Sequence, residues 1–276
     1  MRLNSAILRQ KLWNFHSITS LTIEFCKILE IESNFIRQVE FLNLITQVKL
    51  DNVTIEKVKK RAFDFNSPVN LTIQNVREKL ILTHEEPFGL NIEILAFKNV
   101  NLVQFSSNVF HGMLNASTSV RILDSRIESH FQEDLILHDE VHFNSFEFIN
   151  VTMEAYKPFL NVGLKSHLTF KSCDLALKTE SALRISAEKV IFKESKLKLH
   201  SREPLKVTTA HFEMVNCELE EPLQGSLLGI TRDEHEVEPV LMLKNLTLKD
   251  PAKGTLITRF LNVQVTKIKF CLFDLS

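Results

Sequence analysis

The chain has 276 residues, 44% of them apolar, with 33 basic against 34 acidic side chains. It can therefore bury a sizeable core, and it has no bulk charge to draw it to nucleic acid or an anionic membrane. Phe is used 21 times against one Tyr and one Trp, with only 6 Gly and 7 Pro, which counts against an antiparallel sandwich built on tight hairpins.

Residues 1–17 form a lead-in without repeat character. It has no apolar core of the signal-peptide kind, and no stretch of the chain nears the roughly 20 apolar residues of a membrane-spanning helix. From residue 18 to 276 one pattern recurs, an apolar-x-apolar unit followed three residues on by a small or apolar residue. It runs through Leu21-x-Ile23-x-x-Cys26, Val48-x-Leu50-x-x-Val53, Leu71-x-Ile73-x-x-Val76, Leu95-x-Phe97-x-x-Val100 and Val120-x-Ile122-x-x-Ser125. It continues through Phe146-x-Phe148-x-x-Val151, Leu168-x-Phe170-x-x-Cys173, Val190-x-Phe192-x-x-Ser195, Phe212-x-Met214-x-x-Cys217 and Leu241-x-Leu243-x-x-Leu246. A weaker unit falls near Val263 to Phe270.

Recurrence every 22–29 residues is the mark of a solenoid. Residues 168–219 repeat on a strict 22-residue step with period-two alternation, which is the period of strands. The expected fold is all-β, a right-handed parallel β-helix of about eleven coils, with a longer inter-coil loop at 223–239. A leucine-rich-repeat solenoid is the alternative. It draws on Val58-x-x-x-Ala62-Phe63 and on Phe105-x-x-x-Val109-Phe110-x-Gly112-Met113, where a Phe is tucked under the convex side.

One position of the coil is polar almost throughout: Asn52, Asn75, Asn99, Asp124, Asn150, Ser172, Glu194, Asn216 and Asn245. Asn and Asp tolerate left-handed backbone and bond their own main chain, so these residues are expected to form a turn ladder between two strands. Five Asn-x-Ser/Thr sequons, at Asn52, Asn70, Asn115, Asn150 and Asn245, are glycosylation candidates and favour an extracellular setting. Cys26, Cys173 and Cys217 share one inward slot and are expected to fill core volume. Cys271 is unassigned.

Two outward lines flank the first strand of each unit. One reads Thr22, Lys49, Thr72, Ala96, Arg121, Glu147, Thr169, Ile191, Glu213, Met242. The other reads Glu24, Asp51, Gln74, Lys98, Leu123, Ile149, Lys171, Lys193, Val215, Lys244. Neither gathers the paired carboxylates of glycoside chemistry. His138-Asp139-Glu140-Val141-His142 lacks the residue order of a zinc-protease helix, and Arg232 to Glu238 is expected to be a solvated loop. No catalytic, metal or cofactor site is expected.

The units at 168–219 resemble a right-handed parallel β-helix of the pectin-lyase-like kind. The whole chain, with units such as Leu50-Asp51-Asn52-Val53-Thr54-Ile55 followed by Ala62-Phe63, resembles uncharacterised secreted or cell-surface β-helix and leucine-rich-like proteins of arthropods. The resemblance implies architecture and an extracellular or cell-surface location, and no activity. The missing leader and the apolar, uncapped ends depart from it and suggest a fragment, with a cytoplasmic location as the alternative. The expected function is non-enzymatic binding or adhesion through a long repeat face, with a protein or glycan partner. The alternatives are a carbohydrate-active lyase or hydrolase and an intracellular leucine-rich-repeat scaffold.

Overall fold

The protein is described as a computed structural model covering residues 1–12, 18–37, 44–82, 86–89, 91–103, 107–110, 113, 118–129, 135–136, 143–155, 159–161, 166–177, 184–199, 205–220, 228–231, 240–249 and 257–261. It is a parallel β-solenoid. The alternation Leu-x-Ile or Phe-x-Phe puts every second side chain inside, and each such strand pairs in parallel with its equivalents one turn away.

Ten strands form the first side. They are Ser20–Glu24, Gln47–Asp51, Val69–Gln74, Ile92–Lys98, Ser119–Leu123, Ser145–Ile149, His167–Lys171, Lys189–Lys193 and the leading halves of His211–Glu220 and Val240–Lys249. A left-handed turn then leads to the second side, which runs from Lys27–Ile28 and Thr54–Ile55 through Lys79–Ile81 to the trailing halves of the two long strands.

Among the described residues a third-side sheet is carried by the later turns: Leu135–Ile136, Phe159–Asn161, Arg184–Ser186, Leu205–Thr208, Leu228–Thr231 and Ile257–Leu261. Among the described residues, complete three-sided turns therefore number about six, not eleven. The eleventh unit, at Val263 to Phe270, lies outside the described residues. The earlier turns return to the first side through short segments joined by single bridges, Ile31 to Val58 and Phe63 to Phe88. The strand Leu228–Thr231 falls inside the segment expected to be the inter-coil loop 223–239. It sits there because Ile230 pairs in register with Val207 of the preceding turn.

The lead-in is folded onto the first turn. Arg2–Leu3 pairs in parallel with Glu30–Ile31, and Asn4 Oδ1 caps the helix Ser5–Leu12 by accepting the Ile7 N–H at 2.9 Å. Leu3 and Leu8 are buried in the common core. No helix of the described residues is long and apolar enough to cross a membrane.

Phe explains much of the core. Phe148, Phe170 and Phe192 occupy one register position on adjacent rungs, and their rings stack with centroids 4.8 Å apart, 7° and 6° from parallel. That spacing is the rung repeat itself, so one aromatic per turn forms a continuous column. A second column threads the bends of the earlier turns, where Phe63 stacks on Phe88 and Phe88 on Phe110, with Phe35 and Phe143 edge-on at the two ends.

The bends also hold a half-buried ion pair. Asp64, 1% exposed, meets Arg37 at 2.6 Å, while its other carboxylate oxygen faces Gly89 and has no hydrogen-bond partner.

Candidate functional site

The corner between the first and second sides is the most regular surface feature. Asn52, Asn75, Asn99, Asp124, Asn150, Ser172, Glu194, Asn216 and Asn245 all have φ between 48° and 55°. Left-handed backbone costs an ordinary L-residue about 1–2 kcal/mol, less for Asn and Asp. The position thus marks where the chain bends most sharply. In the first turn it is taken by Phe25, at φ 53° and 67% exposed, which offers no polar compensation.

Side chains link the corners of neighbouring turns. Asn75 Nδ2 donates to Asp51 Oδ1 at 2.8 Å and Asn99 Nδ2 to Asn75 Oδ1 at 2.9 Å. Asn150 donates to Asp124 and Asn245 to Asn216, both at 2.9 Å, and Arg77 Nε donates to Asn52 Oδ1 at 2.6 Å. Ser172 Oγ donates to Glu194 at 3.3 Å.

Asp51 accepts also from Gln74 and pairs with Lys49 at 2.9 Å. The bond from Lys49, with those from the Asn75 and Gln74 amides, holds its carboxyl down to about 2. Free Asp titrates near 3.9, so Asp51 stabilises the folded state at pH above about 4, and that contribution disappears as pH falls through about 2. An NMR titration of the Asp51 carboxyl carbon should show this low midpoint. Asn75→Ala should move it upward; an unchanged midpoint would count against the bond.

Behind the corner lies the inward slot. Ser125 Oγ accepts the Val100 N–H of the previous turn at 3.1 Å and donates to Leu123 O at 2.6 Å. Ser195 repeats this with the Cys173 N–H at 3.1 Å and Lys193 O at 2.8 Å. Cys173 and Cys217 donate in the same way, Cys173 to Lys171 O and to Phe148 O a turn away, and Cys217 to Val215 O. Burial pushes the Cys173 thiol up to about 11 and raises Cys217 as well, so both stay protonated donors. Cys26, Cys173 and Cys217 are free thiols.

The slot therefore does more than fill volume, since Ser125 and Ser195 each satisfy a buried backbone donor there. Ser195→Ala should cost about 1–3 kcal/mol by orphaning the Cys173 N–H, whereas Ser195→Cys should cost less. Equal urea midpoints for the two variants would refute the role.

The sequons fall in unlike places. Asn150 and Asn245 are exposed on the corner, and Asn52 is half-buried beneath Arg77. Asn70 lies within the strand Val69–Gln74, its amide oxygen enclosed without a partner. Asn115, His138 to His142, Arg232 to Glu238 and Cys271 lie outside the described residues. A shallow groove of about 300 Å³ opens beside the last corners, lined in part by Glu194, Lys196, Asn216, Glu218 and Asn245. Among the described residues no three His, Cys, Asp or Glu side chains gather to hold a metal ion.

The outward first side changes character along its length. In the middle, Arg121 pairs with Glu147 at 3.1 Å. Further on, Lys171 stands directly beside Lys193, and Val215 beside Lys244. Glu213 sits among His211, at 2.5 Å, Lys189, at 3.6 Å, and Lys193, at 3.8 Å. Burial would raise the Glu213 carboxyl, but the His211 bond and both ammonium groups outweigh it, and the net shift is downward. The i, i+2 spacing of His211 and Glu213 on a strand could have signalled this contact, since both point to one face. No protein-family model, no curated protein and no solved structure matches the chain.

Proposed function

We propose that the chain is a non-enzymatic binding or adhesion solenoid, acting outside the cell, whose first side meets a protein or glycan partner. The observation that carries this reading is the unbroken parallel ladder of ten strands on that side. At about 4.8 Å per rung it makes a straight face of about 43 Å, with outward residues in fixed lines. Solenoids commonly bind partners along such faces, because rigidity removes the entropy of ordering the surface. We take the coil as right-handed, the hand of nearly all parallel crossovers. The exposed Asn150 and Asn245 sequons support the extracellular setting, since a glycan on a corner leaves the core undisturbed.

A polysaccharide lyase or hydrolase is the second reading, favoured by the ionised Glu213 beside His211 and two lysines. The test is to express the full chain through a secretory host and measure retention on extracellular-matrix preparations alongside release of reducing or unsaturated ends. Retention without cleavage is expected. Cleavage abolished by Glu213→Gln would replace the first reading with the second.

A further inference from the structure

The geometry points to a binding strip for a sulfated glycan on the first side of the last four rungs, built on Lys171, Lys193 and Lys244 with Lys189 beside them. The inference rests on the reading of that side as a binding face. It comes from a contrast between the two long sides of the solenoid.

On the second side, outward cations face acids of neighbouring turns. Lys27 meets Glu56 at 2.6 Å, Arg126 meets Glu154 at 3.5 Å, Lys196 meets Glu218 at 3.8 Å and Lys198 meets Glu220 at 3.4 Å. On the first side from His167 onward, cross-turn pairing of this kind narrows to Glu213, with Glu188 beside His167 at 3.9 Å at the strand edge. Lys171 and Lys193 are register partners, about 4.8 Å apart at their Cα atoms, and like charges so placed repel. Among the described residues, no carboxylate lies within ion-pairing distance of Lys171 or Lys244. Glu213 is the lone outward carboxylate on these strands, and Lys189, Lys193 and His211 share it. Lys171, Lys193 and Lys244 are all exposed.

The strip has a second property. Ile191, Val215 and Met242 also point outward there and are half-exposed, forming an apolar floor between the ammonium groups. A sulfated sugar chain fits both. Its anionic groups would supply counter-charge to Lys171 and Lys244 and add to the single carboxylate that Lys189 and Lys193 share, and the C–H faces of its rings would lie on the apolar residues. The ladder is linear and repeats by the rung, which suits a linear, repeating polyanion laid along the solenoid axis. The outward positions of these strands hold no Phe, Tyr or Trp on which a nucleic-acid base could stack.

The test uses the full chain and four surfaces: immobilised heparin oligosaccharide, the same oligosaccharide after desulfation, poly-glutamate, and the matrix preparation. The expected result is salt-sensitive binding to heparin, lost on desulfation and weak on poly-glutamate. The triple variant K171Q/K193Q/K244Q should weaken it on the order of tenfold or more. K196Q/K198Q on the second side should leave it within about twofold. Circular dichroism of both variants checks that the fold is kept.

Heparin binding untouched by the triple variant would overturn the site. Equal binding to poly-glutamate or to desulfated oligosaccharide would overturn the ligand class. Matrix retention without heparin binding would overturn the inference and leave the binding-solenoid reading standing, and loss of both would remove both.

Discussion

Phe170→Ala is expected to destabilise the solenoid by about 3–5 kcal/mol and to split its unfolding into two steps. Phe170 is 1% exposed and stacks on Phe148 and Phe192 at 4.8 Å on either side, so truncation removes one ring from a column and leaves the other two facing a void. Repacking cannot close the gap, because each flanking ring is fixed by the register of its own strand. In a stacked repeat each turn contacts only its neighbours, so a weakened middle interface uncouples the halves. Urea unfolding should become biphasic, and hydrogen exchange should quicken first in the strands Ser145–Ile149, His167–Lys171 and Lys189–Lys193. Phe170→Leu, which refills most of the volume, should cost far less. A single transition with a midpoint near wild type would refute the account.

Gly89→Ala should cost about 3 kcal/mol or more, for a different reason. A Cβ there would stand 2.6 Å from Asp64 Oδ1, 2.7 Å from Cγ and 2.8 Å from Cβ. Asp64 cannot swing aside: it is buried, and its other oxygen is held by Arg37. Nor can the backbone slide, because the Gly89 N–H bonds to Phe63 O at 2.9 Å and Phe63 stacks on Phe88 at 5.6 Å. The two positions should therefore be strongly coupled. In the Gly89→Ala background, Asp64→Gly should restore more stability than Asp64→Ala, because alanine keeps the Cβ that the new methyl meets. Additive effects in this double-mutant cycle would show that the clash is relieved elsewhere.

The first-side register could be read from the amino acids because strand alternation has a period of two, and an error of one residue would turn every Phe outward. Phe148, Phe170 and Phe192 each stand two residues after another inward apolar residue, so the column was written locally. The corner was legible for a related reason. Left-handed backbone selects Asn and Asp, and that preference recurs once per turn. Phe25 carries no such mark, and its left-handed backbone emerges only from its place in the ladder.

The number of complete turns was not legible. Third-side strands such as Arg184–Ser186 are three residues long and carry little pattern, and the earlier turns replace them with bends around Phe63 and Phe88. The roles of Ser195 and Cys173 were hidden because their partners sit a whole turn away. Locally, a thiol and a valine at that slot are equivalent in volume, and only the stacking shows which backbone donor needs an acceptor. The charge contrast between the two sides was hidden likewise: it depends on which lysine lies over which glutamate across turns.

Most side-chain bonds of the corner run one way, whereas Ser172 Oγ and the corner main-chain N–H groups donate to the turn that follows. Gln74, Asn75, Arg77, Asn99, Asn150 and Asn245 each donate to an acceptor in the turn that precedes them in the chain. Synthesis runs the same way, so these side-chain donors find their acceptors already laid down, while each corner N–H, such as that of Asn75 bonding Lys98 O, waits for the turn that follows. The solenoid can thus be wound like thread onto a spool, each new loop fastened to the one beneath it.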